Sequence, residues 1–499
     1  MSARLSPRAA ALLAALALAG CSTVGAAVDT VTGAGSHVPD KGKMIDSLGQ
    51  KPEQVPPTAA IGPDSTYALA RSHLISGAGF MHVPELEAYV GDVMRRLQAQ
   101  LPTPSPPVRV FLSPIRSFEA EGCAEGGIVI TLGTLSALRS SDELAFILAH
   151  ELSHIYLGHQ RSRGQLNDLT RKAAMLTNVA LNVESAFSGK QDMKAMIANQ
   201  VALLVADDAL FPAWSRAQEQ AADALALDLM QRAGYSNLGA TNVMEILQSE
   251  DEKRAAARAK AEAEAKQAQD EKIKQSLQSG KSDALSDALG NALKQGLAST
   301  LSDVKDTHGS AAGRADLVVA YLHREYPGLP TDAKEADWSR TLAQRDTARR
   351  LTSYRKIGEA VEMLLTQRPK EAAPVLRDAT ITELKGDPYL ALAEFMELSA
   401  NHRDEEGRRL LRQSIEREDA PMVNFTSLAQ SEKSSKHLPE AIRVIETAKT
   451  RFQDPSALYP VAIAYYKEAG RASDVAQVQT RCQLTGDPGL TEQCKAAAK

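Results

Sequence analysis

Five residues, His150-Glu151-Leu152-Ser153-His154, constrain what this chain can fold into more than any other stretch. They lie in an apolar-periodic run from Leu144 to Leu157, and that spacing predicts a helix. Residues four apart on a helix differ by about 40° around its axis, so His150 and His154 stack on one face and both imidazoles can turn toward a single ion. Glu151 sits about 100° further round, which suits a base that takes a proton from water at that ion better than it suits a third ligand. Ser140 and Glu143 have the spacing of a capping box ahead of the run, and Gly158 stands where the helix would stop. An ordinary core helix with two buried histidines would read the same way, so the motif needs a partner elsewhere in the chain.

That partner is the run from Trp214 to Asp223, which opens a second strongly periodic helix carrying Glu219 and Asp223 four apart. Glu219 is the candidate third ligand. Asp223, one turn on, faces the same way and can accept the outer N–H of a metal-bound histidine, fixing its tautomer. Two His and one Glu leave a fourth position open, the arrangement of a catalytic rather than a structural zinc site.

These residues, HELSH followed by RAQEQAAD, resemble the gluzincin HExxH zinc peptidases that include HtpX and the CAAX prenyl protease, peptidase family forty-eight of the metallo class. The resemblance implies one zinc ion per chain held by His150, His154 and Glu219, with Glu151 as general base and Asp223 as the outer acid. Gly234-Tyr235, then Thr307-His308 and Arg314, are similar to the family's late THP motif with an Arg six after the His, although Gly309 replaces the usual Pro. By that likeness His308 and Arg314 would stabilise the oxyanion or cover the metal at rest. A helix-capping pair is the other reading. The family's NAxAxPGG segment stands here as CAEGG, with the glycines kept. The strand after it is therefore either an exposed edge beside the zinc, to which an extended peptide could add, or an ordinary core strand. The resemblance covers about residues 65 to 325.

At 499 residues, 43% hydrophobic and 24% charged, the chain is globular and long enough for two domains or more. A net charge of −5 gives no nucleic-acid footprint, and with only 4% aromatics a mostly helical protein is expected. Arg4 and Arg8 precede an apolar run from Ala9 to Ala19, too short to span a bilayer and read as a signal peptide. Its ending, Leu-Ala-Gly-Cys, resembles a bacterial lipobox. That implies lipidation of Cys21 and removal of residues 1–20, with Ser22 pointing to the outer membrane; a plain secretory signal with a coincidental Cys is the alternative. Residues 21–64, rich in Gly, Pro, Ser and Thr, read as a flexible tether.

Helical patterning starts at Thr66, Pro84 heads a helix over Glu85–Leu101, and Val108–Leu112 and Ile128–Leu132 read as two short strands about a Gly-rich turn from Gly122 to Gly127. The apolar stretch Val201–Ala206 is stopped by Asp207 and Asp208, so residues 160–213 read as a lid or packing helix. His159, five beyond His154, falls on another helical face and reads as a non-ligand. Residues 250–275 are polar all round, a solvated helix; Leu285, Leu289, Leu293, Leu297 and Leu301 recur every four residues, so the 250–304 insertion is expected to dock back on the protein or a partner.

In the tail, Pro388, Pro421, Pro455 and Pro488 recur at steps of 33 or 34, each opening a helical-hairpin pattern such as Leu458–Glu468 then Ala472–Cys482. That is tetratricopeptide-like spacing, with Ala441 and Ala448 as small packing positions; generic helical hairpins are the alternative. Such stacks offer a concave surface for protein segments. A protease with such a tail resembles the BepA-like periplasmic metalloproteases of outer-membrane assembly. Cys482 and Cys494, twelve apart, would form a disulfide in an oxidising compartment, while Cys123 has no base to make it a nucleophile.

The expectation is thus a mostly α protein with a small β-sheet: a metallopeptidase domain over 65–330 and a tetratricopeptide-like α-solenoid over 331–499. It would be a zinc endopeptidase of the periplasm, lipid-anchored at the outer membrane and acting in quality control or assembly of envelope proteins. Its partners would be protein or peptide substrates and, through the repeats, outer-membrane or assembly proteins. The rival is a chaperone or assembly adaptor whose zinc site is latched or silent.

Overall fold

The computed structural model describes residues 38–48, 70, 73–75, 77–105, 107–123, 126–159, 215–279, 311–328 and 335–499. Cys21, the signal peptide, residues 160–213, the leucine run 285–301 and His308 lie outside them. In chain order come α1 (Met44–Ser47), α2 (Pro84–Gln98), β1 (Arg109–Ser113), β2 (Ala120–Gly122), β3 (Gly127–Thr131), α3 (Leu132–Ala137), α4 (Ser141–Tyr156), α5 (Arg216–Arg232), α6 (Leu238–Ser279) and α7 (Ala311–Glu325). No helix among the described residues is long and apolar enough to cross a membrane.

The centre of the first part is α4, buried from Ser141 to Ile155. A helix apolar on every side must be covered on every side. Against α4 pack α2, α5, the start of α6 and strand β2. Its N-terminus is capped as expected by Ser140, whose side chain accepts from Glu143 N–H. The box is open, however: the Glu143 carboxylate accepts instead from Arg139 N–H and from Asn242.

The sheet corrects the expectation about its edge. Its order is β1-β3-β2, with β3 parallel to β1 (Val110 opposite Ile128) and antiparallel to β2 (Gly122 opposite Ile128). The strand expected as a possible edge, β3, is the central one and buried throughout. The edge beside α4 is β2, three residues long, which ends on Gly122, the first residue of the expected turn.

Two further expectations shift. Residues 38–48 belong to the expected tether but are docked: Met44 and Ile45 are buried, and Asp228 of α5 accepts from Ile45 N–H at 2.8 Å and from the hydroxyls of Tyr321 and Tyr326 at 2.9 and 2.7 Å. Tyr321 in turn accepts from Met44 N–H. This segment therefore ties α5 to α7. The polar run from residue 250 begins no separate insertion within the described residues, because α6 runs unbroken from Leu238, its first turns burying Ala240, Val243 and Met244.

The tail is made of α8 (Glu335–Ala343), α9 (Arg345–Leu365), α10 (Pro369–Ala379), α11 (Pro388–Ala400), α12 (Asp404–Ser414), α13 (Met422–Ser434), α14 (Leu438–Arg451), α15 (Tyr459–Glu468), α16 (Ala472–Leu484) and α17 (Pro488–Ala498). From α9 on, consecutive helices pack as hairpins, α9 with α10, α11 with α12, α13 with α14 and α15 with α16. The first helix of each ends on a left-handed residue, Gln367, His402, Lys436 and Gly470. In each case the next N–H bonds back five residues, from Arg368 to Met363, Arg403 to Leu398, His437 to Glu432 and Arg471 to Tyr466. The repeated prolines sit at the starts of α11, α13, α15 and α17 or just before them. Cys482 and Cys494 are joined by a disulfide.

The tail is not detached from the first part. Trp338 of α8, almost wholly buried, donates from Nε1 to the Leu138 carbonyl just ahead of α4 and packs on Tyr89 of α2. Arg116 pairs with Glu362 at 2.8 Å, and His82 bonds Asp419 at 2.6 Å. The expected division at residue 330 thus falls just before a helix that packs on α2 and on the loop ahead of α4.

Candidate metal centre

Both helices that carry the motif residues are placed by local signals. Ser215 and Gln218 form a full capping box at the start of α5. Glu219 consequently lies in the first turn, where the unpaired N–H groups favour a negative charge. Small residues then let the helices pack closely: Ala145 and Ala149 on α4 and Ala221, Ala222 and Ala226 on α5 are all fully buried.

This packing brings His150, His154 and Glu219 together, with their ligand atoms all within 4.8 Å of one another. The two Nε2 atoms are 3.0 Å apart, and the Glu219 oxygens lie 3.5 Å from that of His150 and 3.4 Å from that of His154. Donors about 2.0–2.2 Å from a tetrahedral zinc stand about 3.3–3.6 Å from each other; the two Glu219 distances match that spacing, and the imidazole nitrogens at 3.0 Å stand slightly closer. Burial holds His154 well below the usual imidazole range, against the pull of Glu219 toward protonation, which leaves it neutral. A neutral imidazole is what a metal requires.

The outer contacts are specific. Asp223 Oδ1 lies 2.9 Å from His150 Nδ1, the expected carboxylate behind a ligand. Arg314, in the first turn of the helix α7, clamps Asp223 with Nε at 2.9 Å and Nη2 at 2.6 Å, and places Nη1 3.0 Å from Glu219. Burial alone would raise the Asp223 pKa, but Arg314 and the bond to His150 outweigh it and hold the carboxyl below its usual range. Burial likewise works against the Arg314 charge, and Asp223 and Glu219 more than compensate. The structure thus corrects the helix-capping reading of Arg314 and gives it a positioning role: its guanidinium is turned to Asp223, behind the ligand His150, and to the ligand Glu219. His308 lies outside the described residues.

Glu151 is buried with the ligands and sits under the edge strand. A Cβ added to Gly122 would come 3.3 Å from Glu151 Oε2 and 3.2 Å from its carbonyl oxygen, so only glycine leaves the carboxylate its present room. Sequence reasoning had placed Gly122 in a turn and missed this. It also missed His159. The chain leaves α4 through Gly158 at a φ of 68° and folds back, bringing His159 Nδ1 to 2.8 Å from His154 Nδ1. His159 is no ligand, as expected, but it touches one. Cys123 is buried in a cluster with Ala70, Phe80 and Val129.

Compared with known proteins, residues 84–316 match the model of Peptidase family M48. No curated protein matches the chain. The matched segment runs from the first residue of α2 into α7 and contains every residue of the centre described above, which supports a metallopeptidase.

Proposed function

We propose that this protein is a zinc-dependent endopeptidase with one ion per chain, held by His150, His154 and Glu219. The observation that supports it most is the convergence of two imidazoles and a carboxylate, with Glu151 on the same helix and no ligand role of its own. When bound, zinc supplies Lewis acidity toward water and toward a peptide carbonyl. Glu151 accepts a proton from the attacking water as the C–O bond forms, then delivers it to the leaving nitrogen as the C–N bond breaks, and so returns to its starting state. Asp223 and Arg314 hold the ligands in place meanwhile. The edge strand β2, packed over Glu151, is the element beside which an extended peptide would lie. His308 keeps the role its resemblance gives it, near the oxyanion or over the resting metal.

The wider setting belongs to the same proposal. Cys21 carries the lipid that anchors the protein to the outer membrane from the periplasmic side, where the Cys482–Cys494 disulfide persists. The hairpins of the tail are tetratricopeptide-like and bind outer-membrane or assembly proteins, and the peptidase serves quality control or assembly of the envelope. The test is metal analysis and casein cleavage with the form lacking residues 1–21. One zinc per chain with cleavage is expected. Zinc with no cleavage would favour an adaptor with a silent site, and no zinc would overturn the proposal.

A further inference from the structure

We infer that His159 is a positioning residue for metal binding, fixing the tautomer and ring plane in which His154 presents Nε2 to the ion. The inference rests on the zinc reading above and adds to it the partner of the second histidine ligand. If His154 offers the Nε2 lone pair to a metal, its proton must sit on Nδ1 and needs an acceptor. His154 is fully buried, so that acceptor must come from the protein rather than bulk water. The atom at 2.8 Å is His159 Nδ1, itself on a buried ring set edge-on to His154 at 71°. The proton of His159 then sits on its other nitrogen.

The path of the chain is built for this contact. Leu157 caps α4, and Gly158, in the left-handed region, reverses the backbone within one residue, which a continued helix would not do. The two ligand histidines are thereby held by unlike partners. His150 bonds a carboxylate charge-balanced by Arg314, while His154 bonds another imidazole. With only one anionic partner behind the two histidines, the site keeps more of the metal's positive charge for its substrate than two carboxylates would allow.

Two substitutions of nearly equal size separate this role from simple packing. His159→Asn retains an acceptor oxygen where Nδ1 stands, and His159→Leu fills the space without one. Zinc affinity is measured by chelator competition on the full chain lacking residues 1–21, alongside the Tm of the metal-free protein. The expected result is zinc binding about 10- to 100-fold weaker in His159→Leu, near wild type in His159→Asn, and the same metal-free Tm in both. Equal zinc affinity in the two variants would overturn the inference. Should His159→Leu fail to fold, His159→Gln replaces it, since its acceptor lies one bond too far; it must then bind zinc more weakly than His159→Asn, and equality again overturns the role. Wild-type protein that binds no zinc would sink the underlying function, whereas zinc-binding wild type with an unimpaired His159→Leu sinks this inference alone.

Discussion

The metal centre and the helical tail bury polar groups in opposite ways. At the centre the bonds join distant parts of the chain: Arg314 reaches Asp223 across 91 residues, and Asp228 holds Ile45 across 183. In the tail they recur at about one repeat. Tyr354 donates to Asp387 33 residues on, Asn424 to the Pro388 carbonyl 36 back and Tyr465 to Gln430 35 back. The first pattern makes one cooperative unit, in which losing a single charge exposes several others. The second makes a row of neighbours, in which damage stays near where it is done.

Removing Arg314 is the strongest way to break this contrast. In Arg314→Ala the Asp223 and Glu219 carboxylates remain buried without their cation, at a cost of about 3–5 kcal/mol. Calorimetry on the metal-free variant should show the peptidase unit melting well below wild type while the tail transition barely moves. A loss under about 1 kcal/mol, the range of exposed ion pairs, would mean that the centre is no more interdependent than a surface network.

A smaller and more local effect is expected at the other end. Replacing Cys482 and Cys494 by serine opens a loop of about a dozen residues and should cost about 2–3 kcal/mol. Hydrogen exchange should rise in α16 and α17 and fade within a repeat or two, with casein cleavage unchanged. A drop in cleavage would show that the tail transmits strain to the centre, against the comparison above.

The same contrast decides what could be read from sequence. Helices α4 and α5 were legible because their signals are local: the HExxH spacing, Ser140 before the apolar run, and Glu219 with Asp223 one turn apart. The tail was legible through its prolines; in the structure Arg368–Glu371, Arg403–Glu406 and Arg471–Asp474 pairs recur at the start of three of the four second helices. What was hidden depends on distant partners or on the chain reversing. The docked segment 38–48 looks like linker because Asp228, Tyr321 and Tyr326 lie far along the sequence. Strand β2 is too short for a two-residue alternation to show. His159 was assigned to another face by extending the helix past Tyr156, where Gly158 in fact turns the backbone around. Trp338 falls on the tail side of a division drawn where the family resemblance ends, although its indole bonds the loop ahead of α4.

The central claim is that Glu151 works as a base beside a metal that it does not hold. The most direct measurement compares peptide cleavage and bound zinc in wild type and Glu151→Gln, since the amide keeps the shape of the side chain under Gly122 but cannot accept the proton. The account predicts one zinc per chain in both proteins and no cleavage by the variant. Wild-type cleavage by Glu151→Gln, or loss of its zinc, would contradict it.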